Sequence, residues 1–155
     1  MNKITPFIWL QKDAVKAAEF YVSVFKDAKI KSSQIISNTP SGEVETVSME
    51  LLGQNFMLLS ARSEFQLNES VSFVINCETQ EEVNYYWEKL TANGGHEGQC
   101  GWLQDKHGLS WQVVPEVLNK LMSDSDKVKA GRVTQAMLGM KKIEIAGLED
   151  AFNKN

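Results

Sequence analysis

The sequence predicts an α+β fold: two successive strand–helix–strands units followed by a helical tail. Three observations point there. A strand, a helix and two or three further strands occur once in residues 1–66, and the same order recurs in about 67–115. Within each unit the apolar spacing switches from extended to helical and back. Beyond Pro115 only helical spacing remains.

The elements come in this order. Ile4 to Leu10 mixes β-branched, aromatic and apolar residues, with Pro6 near its start, where a missing N–H is tolerated at a sheet edge. Asp13 is the expected N-cap of a helix whose stripe reads Val15, Ala18, Phe20 or Tyr21, Val22 and Phe25. Ile30 to Ser37 reads as extended, and Thr39-Pro40-Ser41-Gly42 as a turn. Glu43 to Leu52 alternates, with Val47, Met49 and Leu51 on one face and Val44, Thr46, Ser48 and Glu50 on the other. A turn at Gly53-Gln54-Asn55 then leads into Phe56 to Ala61 and makes a hairpin.

Val71 to Cys77 restarts the pattern. Thr79 and Glu82 form a capping box for a helix with Val83, Tyr86, Trp87 and Leu90 on one stripe, stopped by Gly94-Gly95. An extended piece around Cys100 to Leu103, a turn at Asp105-Lys106-His107-Gly108 and a strand Leu109 to Val114 complete the second unit. In the tail, Val117, Leu118, Leu121 and Met122 share a face. Val128, Val133, Met137 and Met140 form another stripe, and Ile143, Ile145, Leu148 and Phe152 continue the apolar content. Such stripes must dock on the core or on a second subunit, so deleting 124–155 should expose apolar surface and perturb a dimer. The expected organisation is one domain over 1–155, with modules at 1–66 and 67–115 and a tail at 116–155.

Composition narrows the function. The 155 residues are 43% hydrophobic and 23% charged, with a formal net charge of −4, the balance of an ordinary globular protein. No basic stripe offers itself to nucleic acid or to a membrane surface. No apolar run approaches the roughly 20 residues that span a bilayer, and the N-terminus lacks a signal-peptide pattern. Cys77 and Cys100 are too few for a disulfide framework. The expectation is a cytoplasmic protein with reduced thiols.

Few residues carry chemistry on their own. The glycine-rich run Gly94 to Gly101 follows a helix and leads into a strand, the reverse of a nucleotide loop. His96, Cys100 and His107 are metal-binding types, but their spacing matches no compact zinc pattern. Cys100 is a nucleophile only if a base lowers its pKa; packing as a small hydrophobe is the plainer reading. Trp87 lies on a core stripe, and Trp111 shares a strand face with Leu109 and Val113, opposite Ser110, Gln112 and Val114. Trp9 and Trp102 suit a concave face that takes an organic ligand, with core packing as the plainer alternative. Glu50 and Gln112 interrupt apolar strands and need hydrogen bonds or a wet cavity.

Several stretches together resemble a known family. They are Ala17-Ala18-Glu19-Phe20-Tyr21, Phe65-x-Leu67-Asn68-Glu69-Ser70, Asn76-Cys77 with Gln80-Glu81-Glu82-Val83, and Gly98 to Pro115 with its Asp105-x-x-Gly108 turn. Gln135 to Ile143 fits the longer members. The chain resembles the vicinal oxygen chelate superfamily of glyoxalase I, bleomycin-resistance proteins and extradiol dioxygenases. More narrowly it resembles the PhnB-like group that carries the description 3-demethylubiquinone-9 3-methyltransferase.

That resemblance implies tandem βαβββ modules whose mixed sheets form a cup, as a homodimer. In catalytic relatives a divalent metal sits in the cup on His, Glu or Gln side chains from two strands of each module. Carried over residue by residue, the first-strand position falls on Pro6 and its counterpart near Ser72. The fourth-strand position of the first module falls within Leu58 to Ser60, and only Gln112 keeps a ligand-capable group. One neutral amide does not hold a divalent cation against water. No metal and no cofactor are therefore expected. The expected function is binding of a small organic molecule, aromatic compounds included, by Trp9, Glu50, Trp102 and Gln112 in the cup. Two alternatives remain open: a metal-dependent glyoxalase- or dioxygenase-type enzyme, or one using Cys100; and a dimeric interaction module with no small-molecule site.

Overall fold

A computed structural model describes residues 3–154. The chain divides into two compact units, Met1–Leu67 and Asn68–Asn155. Each contains a four-stranded mixed sheet with one helix packed on it, and the second also carries the C-terminal helices. The fold is α+β.

In the first unit the elements are β1 (Phe7–Leu10), α1 (Ala14–Val24), β2 (Lys29–Thr39), β3 (Gly42–Leu51) and β4 (Gln54–Ser60). The sheet order is β1-β4-β3-β2; β1 runs parallel to β4 and the other pairs are antiparallel. Strand alternation puts Ile8, Leu10, Val47, Met49, Leu51, Phe56 and Leu58 on the buried side. Against them α1 buries Ala14, Ala17, Ala18, Tyr21 and Val24. Of the expected stripe, Ala18, Tyr21 and Phe25 are buried, and Val15, Phe20 and Val22 are not. Three alanines face the sheet beside Tyr21 and Val24, and Val15, Phe20 and Val22 are only half-buried.

The start of α1 also departs from expectation. Asp13 has a left-handed backbone (φ 59°), and its side chain caps nothing. The free N–H groups are satisfied from the sheet instead. Ala14 donates to Ser60 Oγ (3.1 Å) and Val15 to Glu45 Oε2 (3.4 Å), while Ser60 donates to the same carboxylate oxygen (3.0 Å). The β3–β4 hairpin turns at Leu52-Gly53, with φ 47° and 77°, one step before the expected Gly53-Gln54-Asn55. Two positive φ values in a two-residue loop match the twist of the flanking strands.

The second unit repeats the arrangement with β5 (Ser72–Cys77), α2 (Gln80–Thr91), β6 (His96–Glu97), β7 (Trp102–Gln104) and β8 (Ser110–Pro115), ordered β5-β8-β7-β6 with β5 parallel to β8. Thr79 Oγ1 accepts from the Glu82 N–H (3.3 Å), as the capping box requires. The Glu82 carboxylate reaches back one residue further than expected, to the Glu78 N–H (2.7 Å). Val83, Tyr86, Trp87 and Leu90 are buried.

Three helices complete the chain: α3 (Glu116–Met122), α4 (Lys127–Leu138) and α5 (Ile145–Asn153). Leu118, Val133, Ile143 and Leu148 form a small core with Val114 of β8. Asp126 caps α4 through the N–H groups of Val128 (3.0 Å) and Lys129 (3.2 Å). The segment between α4 and α5 is tied down by its backbone. Cys100 and Gly101 donate to the carbonyls of Met140 and Lys141 (2.7 Å each). The Gln80 amide donates to Ile143 O (3.1 Å) and accepts from Ile145 N (2.7 Å). Among the described residues no helix is long and apolar enough to cross a membrane.

Candidate ligand-binding faces

Each sheet has a face turned away from its helix, and the cross-strand register fixes what that face displays. On the first sheet three rows run across the strands. Trp9, Leu59, Thr46 and Gln34 form one; Phe7, Met57, Ser48 and Ser32 the next; Asn55, Glu50 and Lys29 the third. The β1–β4 half is apolar and open: Phe7 is 53% exposed, Trp9 37% and Met57 36%. Trp9 is held by its indole N–H donating to Ala61 O (3.3 Å) and by an edge contact with Phe65 at 5.5 Å. The third row is polar. A register shift between Ile30 and Ser32 brings Lys31 to this face. Its Nζ lies 2.6 Å from Glu50 Oε2 and 2.6 Å from Asn55 Oδ1, with Lys29 3.7 Å from the other Glu50 oxygen. The hydrogen bond from Lys31 holds the Glu50 carboxyl below its ordinary pKa.

On the second sheet Trp102 lies directly across from Gln112, and Ser110 across from both Ser72 and Gln104. Gln112 Nε2 donates to Ser72 Oγ (2.9 Å), which answers the need of an amide inside a strand. Ser110 is 1% exposed, and its Oγ has no hydrogen-bond partner among the described residues. A buried hydroxyl left so is costly unless something else binds it. At the end of the same face Val114 is covered by the tail core.

The structure thus places Trp102 and Gln112 side by side. Trp9 and Glu50 lie on one face of the other sheet, two rows apart. Cys100 is held in a left-handed turn (φ 57°) before β7, with its N–H on Met140 O (2.7 Å). Sequence reasoning misses Lys31, Ser110 and Phe65 as site residues. No pattern reveals Lys31, because the register shift that turns it inward is a property of the pairing. Ser110 is visible as the polar residue two before Gln112 on an alternating strand.

The metal positions implied by the family likeness do not fit an ion. Pro6 has no donor, and Leu58 is buried on the α1 side. Ser60 is occupied with Glu45 and Ala14 on that same side. Ser72 is occupied with Gln112. Among the described residues no three His, Cys, Asp or Glu side chains gather as a metal site would require, and His96, Cys100 and His107 make no such group. A methyl-donor site finds no support either. The helices after β1 and β5 are entered through Gln11-Lys12-Asp13 and Glu78-Thr79, without glycine.

Comparison with known proteins agrees with this architecture. Residues 2–114 match the family model for 3-demethylubiquinone-9 3-methyltransferase. No protein of curated function matches significantly. Among solved structures, a PhnB protein from Bacillus cereus is similar at 29% identity and a TM-score of 0.67, over 74% of this chain and 99% of that one. The fosfomycin resistance protein FosX from Listeria monocytogenes shares the fold at 15% identity and a TM-score of 0.58, over 77% of this chain and 94% of its own. A glyoxylase/bleomycin resistance protein/dioxygenase domain from Frankia does so at 12% identity and 0.50, over 73% and 95%.

Proposed function

The chain belongs to the 3-demethylubiquinone-9 3-methyltransferase family, PhnB-like members of the vicinal oxygen chelate superfamily, and from that premise we propose that it is a metal-independent, cytoplasmic, homodimeric protein that binds a small organic molecule. Each unit offers such a ligand one sheet face, the face turned away from α1 in the first and from α2 in the second. On the first face Trp9 supplies ring area and the Glu50 cluster orientation; on the second Trp102 and Gln112 take those two roles.

One observation carries the reading. Among the described residues Ser110 Oγ is buried without a hydrogen-bond partner on the face where Trp102 stands across from Gln112, and a buried hydroxyl is stabilised when a ligand group pairs with it. The donor chemistry argues against metal catalysis, since the positions that would ligate an ion hold proline, leucine, serines engaged elsewhere and a single neutral amide, Gln112. The family's description as methyltransferases is not carried over as an activity.

A thermal-shift screen of small aromatic and quinone-like compounds, with and without divalent metals, tests the proposal. Ligand at 100 times its Kd should add about 2.7 kcal/mol of stability. Stabilisation should need no metal. Protein purified without chelator that retains stoichiometric nickel, zinc, manganese or iron would overturn it.

A further inference from the structure

The first sheet's face is divided into an apolar half and a charged end, and that division names a ligand class. Among the described strand positions on this face the charged side chains are Lys29, Lys31 and Glu50. Two ammonium groups against one carboxylate leave a single net positive charge. The neighbouring row holds Phe7 and Met57, and the row beyond holds Trp9 and Leu59. Rows two residues apart along a strand are separated by roughly 7 Å. Phe65, 69% exposed, stands at the edge of Trp9 and extends the apolar part. The Glu50 carboxylate is already taken up by the two lysines, so it does not repel an incoming anion as a free carboxylate would.

We propose that this face takes an aromatic organic anion, with the ring over Phe7 and Met57 and bounded on its far side by Trp9, and the anionic group one row from Met57, about 7 Å, on Lys31 and Lys29. The inference rests on the small-molecule reading given above and adds the ligand's charge and orientation. Lysine suits the role because an ammonium on a flexible stem follows a carboxylate or phenolate without fixed geometry. Arylalkyl and bicyclic acids have the required separation; a bare inorganic anion lacks the apolar part.

The test uses three probes of nearly equal shape, measured by calorimetry on the whole chain: 2-naphthoate, the neutral 2-naphthamide and the cationic 2-naphthylmethylamine. One uncompensated charge at contact in a wet site corresponds to about fivefold in affinity. Naphthoate should therefore bind about fivefold tighter than naphthamide, and the amine should bind weakest. The preference should fade in 1 M salt. Lys31→Gln should erase it, and a far-ultraviolet circular dichroism spectrum matching the parent's reports that the variant is folded. Glu50→Gln should act in the opposite sense and strengthen naphthoate binding about fivefold. Trp9→Leu should weaken all three probes together. Equal binding of all three, or a preference that survives Lys31→Gln, overturns the charge assignment while the small-molecule reading stands. A Trp9→Leu variant with unchanged affinities, or one whose only change is its oligomeric state, overturns the placement. If none of the probes binds and the compound screen is also silent, the small-molecule reading itself has failed.

Discussion

Asp105 organises the turn between β7 and β8 from the inside. It is 2% exposed, and its carboxylate accepts from the N–H groups of His107 (2.8 Å) and Leu109 (3.2 Å) and from the Trp111 indole (2.8 Å). Asp105→Ala would leave the buried indole N–H without its acceptor. Loss of about 2–3 kcal/mol of stability in urea unfolding is expected; a change under about 0.5 kcal/mol would show that the turn holds without the carboxylate. The two cysteines differ as sharply. Burial, then the negative charge of Glu82, pushes the Cys77 thiol up to about 12, while Cys100 is only half-buried. Native protein treated with iodoacetamide near pH 8 should be alkylated at Cys100 and not at Cys77. Equal labelling of both would contradict the burial of β5.

Two elements are fixed by residues far along the chain. The start of α1 hangs on Ser60 and Glu45, 46 and 30 residues from the amides they accept. Ser60→Ala should cost about 1 kcal/mol, as loss of a helix cap does, measured by the same denaturant titration. This arrangement is invisible in the sequence, where Asp13 stands in the capping position and Ser60 reads as one more strand residue. The alternation of β3 is legible because one face is buried and the other is not. So is the Thr79 box, because its partner lies three residues away. The segment linking α4 and α5 depends on the Gln80 side chain. Gln80→Ala should remove both of its bonds and speed amide exchange at Ile145 at least tenfold, about 1.4 kcal/mol of local stability. Unchanged exchange there would mean that the backbone contacts of Cys100 and Gly101 suffice.

For the whole molecule, element order makes the repeated strand–helix–strands plan readable, because each element carries its own periodicity. The site is readable only in part. Tryptophan and glutamine stand out in strands, whereas the Lys31–Glu50–Asn55 contacts arise from pairing register and leave no mark in the sequence. Removing residues 124–155 would strip Val133, Ile143 and Leu148 from the core they share with Val114 and Leu118. The truncated chain should melt several degrees lower and change its oligomeric state on sedimentation; one that keeps both would leave the tail without a packing role. Acid should act on three carboxyls held below their ordinary values: Glu50 by Lys31, Glu97 by the Trp87 indole and Asp126 by the Lys129 amide. Each depressed pKa adds stability above the unfolded value and loses it as the folded value is crossed. Thermal stability should therefore decline as pH falls below about 4.5, and a melting temperature flat from pH 6 to 3 would contradict those contacts.

The family match stops at residue 114, and the helical tail beyond it is seated on the rest of its own unit through Val114, the amides of Cys100 and Gly101 and the Gln80 side chain. Gly101 tolerates no side chain there: a Cβ would stand 2.8 Å from Val113 O and 3.0 Å from Ile143 Cδ1. Transplanting the tail onto a shorter cousin would accordingly fail to seat unless the recipient offered bare backbone at that spot and a carboxamide where Gln80 stands.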